Sequence, residues 1–499
     1  MSPHDLQRRA FLRGSAVTLA GLGAPWTMNL AGMAQAAQLQ AAATGGDDYK
    51  AIVCVFLQGG NDQANTLIPC DTAGHALYEH LRGKQLTANL GINQLKGTQL
   101  TPSTNAGLPS GLQLALAPNL SSLVDLFNNQ RLAVLLNIGP LVKPVSQADF
   151  NSAILGTQDG TVLPPKLFSH NDQQSVWQSY GAEGSEIGWG GLIGDAGFGL
   201  NTESSLTCVN LAGNTVYAAG ENAVQFMVNP LGPDRLMAAD AANLLKSEAC
   251  AAAFLSLTCT QEPTVHRLAK EHSKIMQRAR GTNAVLLDRL ANTVAGTKIP
   301  PLYDQSGQWA GANSDLKDNP LAAQLNTAAR LMAIRNEAGI NVQRQVFFVS
   351  LGGFDLHDGL VTQHPKLLAK LAQALKQLDT DLGTLGLRDK VTTFTASDFG
   401  RTITSNGDGS DHGWGSHHFV MGGAVNGGRF YGEWPEVTDF DEGAHNIGQG
   451  RLLPTMAVDH LAFALAKWMG VTDATALQHI APHLGNFPSV SPLANLFPA

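Results

Sequence analysis

Four continuous apolar runs constrain this chain most: Ala51-Ile52-Val53-Cys54-Val55-Phe56-Leu57, Leu132 to Ile138, Gln345 to Leu351 and Lys390 to Ala396. A strand with one wet face alternates apolar and polar residues. A run without alternation suits a strand covered on both faces, as in a parallel sheet. Helical patterns lie between the runs, at Pro118 to Asn129, Val265 to Ala295, Leu321 to Glu337 and Pro365 to Leu385, with another at Val458 to Met469. Strands alternating with helices predict an α/β fold, a mostly parallel sheet with helices on both faces. The stretch from about 200 to 320 shows no clear strand and reads as a largely helical insertion. No repeat of 20–50 residues is visible.

The N-terminus reads as an address rather than as part of the fold. Arg8-Arg9-Ala10-Phe11-Leu12-Arg13 is followed by Gly14 to Met33 without a charge, then by Ala34-Gln35-Ala36. A basic n-region, an apolar h-region and a small-x-small site make a secretory signal, and the arginine pair makes it a twin-arginine one. The expectation is cleavage after Ala36, a single domain over residues 37–499, the twin-arginine translocase as export partner, and a location in the periplasm or outside the cell. The h-region is too weakly apolar for a spanning helix, and no later segment suits one, so no stable membrane insertion is expected after cleavage. The whole chain is 44% hydrophobic and 14% charged with a formal charge of −8. That acidity, without any basic cluster, argues against nucleic acid as a partner. The cysteines Cys54, Cys70, Cys208, Cys250 and Cys259 form no CxxC pair, which disfavours a zinc–thiolate site. Cys250 and Cys259 are the pair a disulfide would join, with free thiols an equal reading.

Chemistry concentrates where the runs end. The first ends in Gln58-Gly59-Gly60-Asn61-Asp62, the third in Gly352-Gly353-Phe354-Asp355-Leu356-His357, the fourth in Ser397-Asp398-Phe399-Gly400-Arg401. Sites in open α/β sheets form at carboxyl strand ends. Three acids converging there would repel each other, and a divalent cation removes the conflict. Asp411-His412-Gly413-Trp414-Gly415-Ser416-His417-His418 adds three histidines. The candidate metal ligands are therefore Asp62, Asp355, His357, Asp398, His412 and His417, with His418 reading as structural. Mixed Asp and His donors put zinc ahead of calcium, magnesium or manganese. Ser169 opens the helical stretch Gln173 to Tyr180 and is the candidate nucleophile, against an ordinary N-cap role; Thr66 is a weaker candidate. Arg401 is the candidate oxyanion clamp, against a salt bridge to a neighbouring acid. Trp189, Trp414 and Trp434 could stack on sugars but fit core packing better.

At these residues the sequence resembles the twin-arginine-exported bacterial proteins of the domain-of-unknown-function 1501 family. The resemblance rests on Gly59-Gly60-Asn61-Asp62, Ser169-His170 with Trp177, Gly353-Phe354-Asp355-Leu356-His357, Ser397-Asp398-Phe399-Gly400-Arg401, Asp411-His412-Gly413-Trp414-Gly415 and Leu465-Ala466-Lys467-Trp468-Met469-Gly470. It implies a relationship to the alkaline phosphatase and sulfatase superfamily, whose metal ligands follow the order shown by Asp62, Ser169, Asp355 with His357, Asp398, and His412 or His417. Phe399 departs from that pattern where the superfamily has a histidine, so one ligand is lost or comes from elsewhere. The function so implied is an exported metal-dependent hydrolase of small phosphate or sulfate esters. The alternative is a binding or assembly protein that keeps the fold without the chemistry.

Overall fold

The computed structural model describes residues 48–156, 163–213, 215–232, 247–259, 267–304, 307–488 and 490–498. The signal-like segment 1–36 lies outside them. All four apolar runs are strands of one sheet. In chain order the strands are β1 Lys50–Leu57, β2 Leu67–Pro69, β3 Leu114–Leu116, β4 Leu132–Gly139, β5 Cys208–Asn210, β6 Phe226–Met227, β7 Arg344–Leu351, β8 Val391–Ser397, β9 Arg401–Ser405, β10 Ser410–His412, β11 Ser416–Met421, β12 Phe430–Tyr431 and β13 Met456–Ala457. The main sheet runs β12-β4-β11-β8-β1-β7-β5-β6, with β13 also paired to β4. Every pairing in it is parallel except those of β11, which lies antiparallel between β4 and β8. Two small sheets, β2-β3 and β9-β10, stand beside it.

Both faces are covered, which is why the runs lack alternation. Ala51, Val53, Val55 and Leu57 of β1 pack into one core, while Ile52, Cys54 and Phe56 pack into another. The first core is shared with helices α2 (Ser121–Asn128), α6 (Pro320–Ala333) and α7 (Leu360–Leu385). The second is shared with α3 (His170–Ser179), α4 (Trp189–Gly197) and α8 (Val458–Met469). Two further long helices are α1 (Thr72–Leu86) and α5 (Arg267–Asn292). Each buried Val, Ile, Leu or Phe contributes about 1.5–3 kcal/mol, so the period-two sorting of side chains fixes the register.

Two expectations shift. The sequence suggests no strand between 200 and 320, yet β5 and β6 extend the sheet edge there. Strands of two or three residues carry too little periodicity to read. The helix expected from Pro365 begins at Leu360, after Gly359 in the left-handed region, and carries Pro365 inside it. A proline in the second turn loses one hydrogen bond without ending the helix. Cys250 is a free, exposed thiol. No helix among the described residues is long and apolar enough to cross a membrane.

Candidate metal centre

Strands β1, β7 and β8 are adjacent and end level, with Leu57 paired to Leu351 on one side and Ser397 on the other. The chain leaves β1 through Gly59 (φ +111°) and Gly60 (φ +81°). A Cβ on Gly59 would sit 2.4 Å from the backbone nitrogen of Asp355, and one on Gly60 2.6 Å from the Phe399 ring. Only glycine turns in that space, and the turn lets the Asp355 and Phe399 segments close over the end of β1.

Three ligand atoms meet there: one each from His170, Asp355 and His412, all within 4.8 Å of one another. His170 is the first residue of α3. Its Nδ1–H donates to Asp398 Oδ2 at 2.7 Å. Asp398 is fully buried and is itself held by Gln174 Nε2–H at 2.9 Å and by the Gly59 amide at 3.1 Å. With its proton fixed on Nδ1, His170 presents the lone pair of Nε2, a buried atom without a hydrogen-bond partner that lies 3.4 Å from Asp355 Oδ1. His412 repeats the device: its Nδ1–H donates to the Phe168 carbonyl at 2.7 Å, and Nε2 lies 3.4 Å from Asp355 Oδ1. His357 repeats it again on the exposed side, with Nδ1 3.0 Å from Asp411 Oδ1. Its Nε2 is 3.2 Å from Asp355 Oδ1 and 2.9 Å from His412 Nε2. Imidazoles anchored through one nitrogen with the other facing a shared point are how proteins prepare histidine ligands. Tetrahedral zinc bonds of about 2.0 Å put neighbouring ligand atoms roughly 3.3 Å apart, close to the 3.2–3.4 Å that separates Asp355 Oδ1 from each of the three Nε2 atoms. The donor set therefore fits zinc or a similar transition metal better than the all-oxygen cations.

The charges suit that role. Burial alone would push the Asp355 carboxyl up, but the Arg401 guanidinium against it holds it down to about 2. The hydrogen bond to Asp398 raises the basicity of His170. Burial keeps His412 below its ordinary value and so neutral. Phe399 is buried and lays its ring against His170 and His412, with centroids 4.8 Å and 4.6 Å away. Phe399 thus covers one side of the two imidazoles.

Several expected residues stand elsewhere. Asp62 is buried, bonded to Arg82 Nη2 at 2.6 Å and Ser410 Oγ at 2.9 Å, so it balances Arg82 instead of facing the cluster. Asp398 supports His170. His417 is buried against Trp434 and accepts the Asn137 amide N–H through Nδ1. Arg401 forms the salt bridge rather than the oxyanion clamp. Its N–H groups go to Asp355 and to the carbonyls of Gly59, Gly60 and Ser410, leaving the last near His357 Nε2. Ser169 is the N-cap residue, and its hydroxyl donates to Asp172 Oδ2 at 2.8 Å; none of its contacts is with the cluster. His418 is buried beside Thr395, as a structural residue would be. His170 is the member of the cluster that the sequence did not reveal. The available signal was the lone Asp398, which lacks an adjacent histidine and must find one from another element.

The family model for a protein of unknown function, DUF1501, matches residues 49–477. The chain belongs to the DUF1501 family. No curated protein matches this DUF1501 chain. Among solved structures it is similar to Ps i-CgsB, with 10% identity and a TM-score of 0.34 over 90% of this chain and 78% of that one. It is likewise similar to the PsFucS1 sulfatase from Pseudoalteromonas sp., with 9% identity and a TM-score of 0.34 over 96% and 77%. A third, from the Bacteroides thetaiotaomicron locus for metabolism of multiple glycosaminoglycans, has 13% identity and a TM-score of 0.31 over 85% and 73%. Likenesses at that level decide nothing about the chemistry of this DUF1501 protein, which rests on its own residues.

Proposed function

We propose that this DUF1501 protein is a metal-dependent hydrolase of phosphate or sulfate esters that works outside the inner membrane and holds one divalent cation, zinc by its donor set. One observation carries the reading: His170 Nε2 is buried, unpartnered and 3.4 Å from Asp355 Oδ1, an arrangement that costs stability unless something occupies the gap. His170, Asp355 and His412 would hold the ion, with His357 in reach as a fourth donor. A bound cation would supply Lewis acidity toward an ester oxygen. Asp398, the Phe168 carbonyl and Asp411 orient the three imidazoles. Phe399 keeps water from one side, and Arg401 keeps Asp355 anionic. Asp355 and His357 are half exposed, so the open side is where a small ester would enter.

A second reading has its own support. The Ser169 hydroxyl is engaged with Asp172 and the Arg401 donors are committed, so neither expected catalytic group faces the cluster. That favours a binding or assembly protein which keeps a metal without turnover. Elemental analysis of the protein as isolated, followed by assays on aryl phosphates and aryl sulfates, separates the two. The hydrolase reading expects one ion per chain, with activity lost in Asp355→Ala and His412→Ala. Bound metal without turnover favours the second reading. Activity that survives both substitutions overturns the site.

A further inference from the structure

An apolar cavity of 260 Å³ lies between α1, β9 and the segment around Trp434, apart from the metal centre. Leu67, Leu77, Leu81, Ile403 and Leu452 form its walls, and its rim carries the exposed Glu436. One wall residue is His417, whose ring stacks on Trp434 with centroids 5.2 Å apart. His417 is 5% exposed. Its Nδ1 accepts the Asn137 amide N–H at 3.0 Å, which places the ring proton on Nε2. Burial holds its pKa down to about 3, so the ring is neutral. Its Nε2–H has no hydrogen-bond partner among the described residues. The neighbouring polar groups are already used. The Tyr78 hydroxyl donates to Asn65 Oδ1 at 2.8 Å, and the Gln63 side chain bonds the carbonyl and amide of Arg401, both at 2.7 Å.

The cavity thus offers hydrocarbon walls, one aromatic face and one free donor. Water is held weakly there, because an ordered water needs two to four polar partners and the walls offer it one. A carboxylate or phosphate is also a poor one, since Arg82 behind the wall is neutralised by Asp62 and Glu436 at the rim repels anions. Apolar cavities of about 150 Å³ accept benzene, so this one has room for a ring with short substituents. We propose that it binds a small, uncharged, ring-sized apolar molecule that places one carbonyl oxygen on His417 Nε2–H. The site is independent of the metal centre.

Calorimetric titration with acetophenone and with isopropylbenzene, nearly the same shape without the acceptor, tests this. Acetophenone is expected to bind saturably at one site, and removing metal should leave its Kd unchanged. Leu77→Trp, which fills the cavity from a half-buried position, should weaken both probes at least about tenfold. His417→Phe should raise the acetophenone Kd about fivefold, the value of one net hydrogen bond, and change that of isopropylbenzene less than twofold. If His417→Phe does not fold, the His417 Nε2–H resonance of the unaltered protein replaces it; it should shift with acetophenone and stay put with isopropylbenzene. No saturable acetophenone binding, or binding that ignores Leu77→Trp, overturns the proposal. So do equal losses for the two probes in folded His417→Phe, or an unmoved resonance.

Discussion

His364, His417 and His418 are buried and neutral, each for the same reason: burial, the leading cause in each case, holds the pKa to about 4 for His364 and about 3 for the other two. In the unfolded chain each titrates near 6.5. A histidine whose folded pKa is depressed binds fewer protons when folded, so its stability is present above the unfolded pKa and is lost as pH falls toward the folded one. Between pH 7 and pH 5 each should cost about 2 kcal/mol. Thermal melts of the metal-free protein are expected to show Tm dropping steeply over that interval, and a flat profile would contradict the burial of these rings. The Asp62–Arg82 pair works differently, because both partners are out of water. Removing either would strand a charge, at a cost of roughly 3–5 kcal/mol. Nothing in the sequence near Arg82 marks it as Asp62's partner: it lies twenty residues on, in a helix whose pattern is otherwise ordinary.

At the level of elements, the centre depends on α3 docking its first residue onto the end of β8. Asp398→Asn keeps the shape of that joint but removes the charge that holds His170 Nδ1–H. Metal affinity is expected to fall 10–100-fold with little change in Tm, read by competition with a chelating dye. An unchanged affinity would mean His170 does not ligate. The strand ends were legible because long doubly buried strands leave unbroken apolar runs, and the glycine pairs after β1 and β7 announce turns. Asp355 and His357 were legible for the same reason, and His412 from the histidine-rich segment Asp411 to His418. Asp62 was not told apart from them, since an acid after a strand looks alike whether it meets a metal or an arginine. His170 was hidden by its helix start, where Ser169 is the more familiar signal.

For the whole molecule, the question is where it works. We propose export through the twin-arginine route, from the arginine pair, the uncharged stretch to Met33 and Ala34-Gln35-Ala36. Replacing Arg8 and Arg9 together by lysine should leave the protein in the cytoplasm, shown by fractionation; normal export of that variant would refute the route.

The three atoms that meet at Asp355 come from residues 170, 355 and 412, which are brought together by a helix start and strand ends drawn from distant parts of the chain. During synthesis, no nascent fragment that stops before His412 contains the full set, and β11, which wedges between β4 and β8, emerges later still. An ion that needs all three donors is therefore captured late in folding, once the segment that carries His412 has docked at the sheet end. Under the proposed export route, in which the chain leaves already folded, which metal the protein carries would then be set by the pool of the cytoplasm and not by that of the place where it acts.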